Sequence, residues 1–150
     1  MQTVLIDADV ILDLFIQREP HHSVSLRLFS YLDQKPDTLQ GVTSPVIIAN
    51  VAYILGKLKS QAYAVQKIQE LRQIIEVAPV TQATIDLALS SPYKDFEDAI
   101  QYYCAKTNDI PVIITRNVGD FPSGEVLIVT PQEFITMGSR SGPENSPGQD

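Results

Sequence analysis

The sequence predicts a three-layer α/β/α fold built on a central, mainly parallel sheet. Short β-rich apolar runs alternate with segments whose apolar residues recur at helical spacing. The first such run, Thr3-Val4-Leu5-Ile6, ends abruptly in Asp7, as a buried parallel strand does when its carboxyl end delivers a polar group. Alternation of this kind implies right-handed βαβ units with helices on both faces of the sheet. With 150 residues, 44% of them hydrophobic, the chain can bury one sizeable core rather than two. Residues 1–138 are therefore expected to form one domain.

Taken in order, Thr3 to Ile6 is the first strand, and Pro20 opens a helix through Val24, Leu28 and Leu32, ended by Gln34-Lys35-Pro36-Asp37. A second strand, from about Gln40 to Thr43, leads into Ser44-Pro45, a serine N-cap with proline at the first helical position. Ile47, Val51, Ile54, Leu55 and Leu58 give that helix its apolar face. The next helix is expected from about Ser60 to Ile75, because Ala64, Ile68, Leu71 and Ile75 align, with a short strand near Val77. Helices follow over Thr81–Leu89 and Asp95–Thr107, then strands over Pro111–Thr115 and Glu125–Thr130, and a short helix from Pro131 to about Gly138. Residues 139–150 contain no large apolar side chain and are expected to be a disordered polar tail.

Composition narrows the function classes. The run from Val4 to Ile16 is interrupted by Asp7, Asp9 and Asp13 and lacks a basic lead-in, so it does not read as a signal peptide. No uninterrupted apolar run approaches the length needed to span a bilayer. A soluble, cytoplasmic protein with no membrane partner is the expectation. The single cysteine, Cys104, cannot form an internal disulfide and falls in a helical pattern, where it reads as core filler. A net charge of −7 and a pI near 4.7 argue against broad electrostatic adhesion to nucleic acid or anionic lipid. They leave open an enzyme that reaches phosphates through a bound cation, and they suit a basic protein partner.

In parallel α/β folds the working site lies beyond the carboxyl ends of the strands. Three groups of acids and amides occupy such places: Asp7 and Asp9 after the first strand, Asp95 and Asp98 at a helix start, and Asn117 and Asp120 after Ile113-Ile114-Thr115. Asp95 and Asp98 are three residues apart and share a helical face, whereas Glu97 points away from Asp95. Carboxylates gathered in one cleft repel one another unless a cation neutralises them. Mg²⁺ prefers such oxygen ligands and leaves room for water or phosphate, which points to phosphodiester hydrolysis.

Four segments carry a family resemblance. They are Leu5-Ile6-Asp7-Ala8-Asp9-Val10-Ile11-Leu12-Asp13-Leu14-Phe15, Thr43-Ser44-Pro45-Val46-Ile47-Ile48-Ala49-Asn50-Val51-Ala52-Tyr53-Ile54-Leu55, Asp95-Phe96-Glu97-Asp98-Ala99-Ile100-Gln101-Tyr102 and Ile114-Thr115-Arg116-Asn117-Val118-Gly119-Asp120-Phe121. In this order they resemble the PIN-domain family, particularly its VapC-like members. The resemblance implies an endoribonuclease dependent on Mg²⁺ or Mn²⁺, with RNA as substrate. It further implies a toxin held inactive by a basic antitoxin protein encoded beside it, and a homodimer. By position, Asp7 matches the first metal-binding aspartate, Asp98 the helical one, and Asn117 with Asp120 the last acidic segment. Asp7, Asp98 and Asp120 are thereby the expected metal ligands, and Asp95 and Asn117 join them in the catalytic set. Thr115 matches a hydroxyl often found beside that site, and Arg116 is a candidate phosphate clamp. The chain departs from the family at Asn50, where a glutamate is common, and at Asp9, where asparagine is common.

Other readings attach to the same residues. Asp95 and Asp98 also suit a helix N-cap and a first-turn acid, and Asn117 and Asp120 suit a turn. Asp7 resists such an account, since an ionisable group at the end of a buried strand costs desolvation without helping the core. His21 and His22 diverge by about 100° on a helix and read as surface histidines, while Tyr53, Tyr102 and Tyr103 read as core residues with a polar tip. Asp7-Ala8-Asp9 also resembles the start of haloacid-dehalogenase-type phosphatases, in which Asp7 would be a nucleophile. That family expects a lysine after its hydroxyl-bearing strand, and none suitable follows Thr115. A catalytically degenerate PIN domain that binds RNA or protein without cleaving is the remaining alternative, motivated by Asn50.

Overall fold

The computed structural model describes residues 1–121 and 124–140. The tail expected over 139–150 lies outside these residues from position 141 onward. Five strands, β1 (Gln2–Ile6), β2 (Leu39–Thr43), β3 (Ile75–Val77), β4 (Val112–Ile114) and β5 (Leu127–Val129), form one sheet in the order β3-β2-β1-β4-β5. Every pairing is parallel. Among the described residues the helices are α1 (Ala8–Ile16), α2 (His21–Asp33), α3 (Pro45–Leu58), α4 (Gln61–Leu71), α5 (Gln82–Leu89), α6 (Phe96–Thr107) and α7 (Pro131–Arg140).

The chain travels outward from β1 to β3, then crosses to the other side of β1 to lay down β4 and β5. With right-handed crossovers, this reversal assigns α1 to α4 to one face and α5 and α6 to the other. The observed contacts fit: α1 packs on α2, α3 on α4, α5 on α6, and α7 returns to α2. Because both faces are covered, the carboxyl-terminal halves of the central strands are buried; Leu5, Ile6, Ile113 and Ile114 have no exposed surface. Thr43 is the exception in kind, a fully buried hydroxyl that satisfies itself by donating to the Ile6 carbonyl at 3.1 Å. Gly41 lets β2 lie close to its covering, since a Cβ there would stand 2.9 Å from Ile75 Cγ2 and 3.1 Å from Leu32 Cδ1.

Two elements differ from the sequence expectation. α1 occupies residues that read only as a continuation of the apolar run, because Asp7, its N-cap, reads equally as the polar group that ends β1 and the apolar residues around Asp9 and Asp13 extend the strand's run. α4 stops at Leu71 rather than Ile75, whose side chain keeps the helical spacing but belongs to β3. Tyr53 is also corrected: it is 65% exposed, with the Lys57 ammonium over its ring at 5.5 Å, whereas Tyr102 is buried as expected. The two histidines are half-buried rather than superficial. Cys104 is fully buried, and burial pushes its thiol up to about 11, in keeping with core filler.

Candidate active site

β1 stands at the point where the strand order reverses, so its carboxyl end opens onto the crevice where parallel α/β folds bind ligands. Asp7 leaves that end and caps α1, its Oδ1 accepting from the Ala8 N–H at 2.8 Å. The register Ile6↔Ile114 brings the residues after each strand together, and Thr115 Oγ1 donates to Asp7 Oδ2 at 3.0 Å. Thr115 is fully buried, and Asp7 is only 9% exposed. Burial, reinforced by the charges of Asp9 and then Glu97, pushes the Asp7 carboxyl up to about 6 despite its hydrogen bonds.

Asp9, in the first turn of α1, faces the segment after β4. Its Oδ2 accepts from the Arg116 N–H at 3.1 Å and from Asn117 Nδ2 at 3.0 Å, and Thr115 Oγ1 lies 3.4 Å away. Asn117 N–H donates in turn to Thr115 Oγ1 at 3.1 Å. The other oxygen, Asp9 Oδ1, is buried and has no hydrogen-bond partner. Burial raises the proton affinity of Asp9, with the Arg116 backbone and charge acting in opposition.

α6 supplies the third component. Asp95 is its N-cap, with Oδ1 accepting from the Asp98 N–H at 3.1 Å, so the capping reading of Asp95 holds. Asp98 itself is pushed up to about 7 by burial and by the charges of Asp95, Asp7, Asp120 and Glu97, in that order. The segment after β4 joins these parts, since Thr115 and Asn117 bond Asp7 and Asp9 and the Asp120 N–H donates to the Asn117 carbonyl at 3.0 Å. Asp95, Asp98 and Asp120 also line one cavity of about 400 Å³ with Tyr93, Lys94 and Gly119. Asp120 lies in a short 3₁₀ turn, Val118–Asp120. Asn50 is half-buried in α3 and takes part in none of the hydrogen bonds that join these groups.

Four contributors were not singled out from sequence. Glu97 is felt electrostatically at both Asp7 and Asp98. Asp13 binds Arg116 through Nε at 2.7 Å. Tyr93 lines the acidic cavity with a buried hydroxyl that lacks a partner. Ser44 donates to Gln101 Oε1 at 2.7 Å while capping α3, which ties α3 to the helix bearing Asp98. Only Ser44 carried a sequence signal, its N-cap position before Pro45.

Among the described residues, no three His, Cys, Asp or Glu side chains converge closely enough to ligate one ion by themselves. The donor chemistry nonetheless fits a hard divalent cation. The groups are carboxylate oxygens, Asp7 and Asp98 are burdened by burial and by neighbouring negative charge that a cation relieves, and Asp9 Oδ1 is an orphaned acceptor. Mg²⁺ needs only one or two protein carboxylates, the rest of its shell being water or phosphate.

The fold and this convergence define a parallel α/β domain with a carboxylate cleft at its switch point. A family model described as PIN domain matches residues 3–119. The chain belongs to the PIN-domain family, on its VapC-like branch. It is 31% identical over 139 residues to Ribonuclease VapC1 of Aquifex aeolicus (strain VF5), with 89% of this chain and 93% of that protein covered. Among solved structures it is similar to a chain of VapBC2 from Rickettsia felis bound to a DNA fragment from their promoter, with a TM-score of 0.65 at 10% identity, covering 85% and 97% of the two chains. A toxin–antitoxin complex from Klebsiella pneumoniae gives 0.64 at 22% identity, with 85% and 97% covered. VapC20 of Mycobacterium tuberculosis, a sarcin–ricin-loop-cleaving toxin, gives 0.59 at 16% identity, with 73% and 86% covered. At these identities the structural likeness speaks to the fold. No helix among the described residues is long and apolar enough to cross a membrane.

Proposed function

We propose that this chain is a metal-dependent endoribonuclease that hydrolyses RNA phosphodiester bonds and serves as the toxin of a type II toxin–antitoxin pair. The observation that carries this reading is that the segment after β4 bonds Asp7 and Asp9 through Thr115 and Asn117 and carries Asp120 into one cavity with Asp98, which gathers carboxylates far apart in sequence beyond the carboxyl end of β1. The 31% identity to a ribonuclease over nearly the whole chain supports it.

In this reading Asp7 and Asp98 hold Mg²⁺ or Mn²⁺, with Asp120 and the free oxygen of Asp9 as the nearest further donors. When bound, such a cation supplies Lewis-acid polarisation of a phosphoryl oxygen and a lowered pKa for a coordinated water. Thr115 and Ala8 fix the two oxygens of Asp7 so that neither rotates freely. Asn117 and the Arg116 backbone do the same for Asp9 Oδ2. Buried surroundings keep competing water away from Asp7, which strengthens its hold on a cation.

The acidic balance of −7 favours a basic antitoxin. Leu26, Tyr53, Leu58 and Val65, left exposed on α2, α3 and α4, supply apolar surface for such a partner or for a second copy of the chain. The test is cleavage of a panel of structured and single-stranded RNAs with Mg²⁺ or Mn²⁺, comparing wild type, Asp98→Asn and an EDTA control. Metal-dependent cutting that disappears in Asp98→Asn supports the proposal. Absence of both metal binding and cutting in the wild type overturns it in favour of a non-cleaving PIN domain.

A further inference from the structure

We propose that Asp13 and Arg116 form a positioning clamp that holds the segment after β4 against α1, and thereby sets Asp9 and Thr115 in place beside Asp7. The inference rests on the nuclease reading for its catalytic consequence, while the clamp itself is a matter of geometry.

Asp13 follows Asp9 by four residues in α1, so the two carboxylates lie one turn apart on the same face. Only 8% of Asp13 is exposed, and it sits in an otherwise strongly apolar helix. A carboxylate so placed requires a partner. Both its oxygens are taken by one: Arg116 Nε donates to Oδ2 at 2.7 Å, and Nη2 to Oδ1 at 3.3 Å. This two-point fork fixes direction as well as distance, which a lysine could not do.

The backbone of the same arginine completes the link. Its N–H donates to Asp9 Oδ2 at 3.1 Å, so Arg116 grips one α1 carboxylate with its side chain and the next with its main chain. On one side of it Thr115 Oγ1 donates to Asp7, and on the other Asn117 Nδ2 donates to Asp9. Three consecutive residues after β4 thus orient both carboxylates that follow β1. The tether matters because the sheet ends at Ile114, and beyond it Arg116 and Asn117 have no ladder to hold them.

Two other roles fit less well. As a stabilising device alone, an ion pair with one partner exposed contributes little, and a packed apolar pair in its place would serve equally. As a phosphate clamp, Arg116 is poorly placed, since the Asp13 fork takes Nε and Nη2 and its remaining nitrogen, Nη1, faces His21 Nε2 at 3.5 Å. The sequence expectation of a phosphate contact at Arg116 gives way to a positioning role.

The test compares wild type with Asp13→Asn, Arg116→Gln, Arg116→Lys and the Asp13→Asn/Arg116→Gln double variant. RNA cleavage with Mn²⁺ is followed alongside amide hydrogen exchange of the metal-free proteins. Each single variant is expected to lower kcat by about 10- to 100-fold with KM little changed, the scale at which residues supporting metal ligands act. The Arg116 and Asn117 amides should exchange at least about tenfold faster while those of Leu5 and Ile113 do not, as for a local opening rather than global unfolding. The double variant should be no worse than either single one, since the two residues act as a unit. It also leaves no buried charge unpaired, so it carries the test if Arg116→Gln does not fold. Arg116→Lys should fail to rescue. A raised KM with unchanged kcat in Arg116→Gln, together with wild-type behaviour in Asp13→Asn, would overturn the clamp in favour of a phosphate contact. Unchanged exchange in every variant would also overturn it. If the wild type cuts no RNA, the exchange data alone decide the clamp, so its failure is separable from that of the nuclease reading.

Discussion

The Thr115 hydroxyl donates to Asp7 across 3.0 Å, joining the ends of two adjacent parallel strands by a side-chain bond one step beyond their last ladder pair. The same oxygen accepts from the Asn117 N–H. A hydroxyl used as donor and acceptor at once, without exposure to water, fixes both of its neighbours.

Replacing Thr115 by valine keeps the shape and removes both bonds. Asp7 then loses a donor to its charged form, and the Asn117 N–H loses its acceptor. The expected cost is about 1–3 kcal/mol at pH 8, read from urea denaturation, with cleavage reduced at least about tenfold.

The raised carboxyls make stability fall with pH when no metal is present. Asp7 titrates near 3.8 when unfolded and about 6 when folded, so the folded state binds the extra proton between those values. Stability therefore declines as pH rises through that window, by about 3 kcal/mol for Asp7, and Asp98 extends the decline toward pH 7. Asp7→Asn should flatten the curve and be more stable than wild type at pH 8 by roughly 1–3 kcal/mol, while losing cleavage. Denaturation in EDTA at pH 5 and pH 8 checks the sign. A wild type more stable at pH 8 would contradict it.

Ser44→Ala removes an N-cap worth about 1 kcal/mol and leaves the buried Gln101 carbonyl without its donor, at about 1–3 kcal/mol more. The combined loss should be measurable as a lowered midpoint in thermal unfolding. Because Gln101 lies one turn beyond Asp98 on α6, cleavage per folded molecule should also fall.

Gly41→Ala tests packing away from the chemistry. The added methyl would meet Ile75, Leu32 and Ile6 within 2.9–3.2 Å, all in the core. Overpacking of this kind costs about 1–3 kcal/mol, and a circular-dichroism melt should show it with catalysis by the folded fraction unchanged.

Much of this architecture is legible in the sequence because parallel strands and amphipathic helices leave distinct periods. Ser44-Pro45 marks the start of α3, and Asp95 that of α6, through capping chemistry that depends only on neighbours. α1 is not legible, since Asp7 reads equally as a strand end and as a helix cap, and the residues after it continue an apolar run. Within the site, Asp7 and Asp98 can be found from strand ends and helix starts. Asp13 cannot, for its meaning lies in Arg116, over a hundred residues away and adjacent only through the β1–β4 pairing. Asn117 is recognisable as a site residue, but its use as a donor to Asp9 rather than as a ligand requires the geometry.

The placement of β4 beside β1 also has a bearing on time. A ribosome completes Asp7 and Asp98 before it reaches β4, yet the cleft needs the pairing of Ile6 with Ile114 and the hydroxyl that follows it. Until β4 has emerged and inserted next to the first strand, the growing polypeptide holds its carboxylates on separate pieces with nothing to align them. For a chain proposed to be harmful to its maker, the cleft is thus unassembled until the residues after β4 are made, and a fragment that stops before residue 115 lacks the Thr115, Arg116 and Asn117 bonds that orient Asp7 and Asp9.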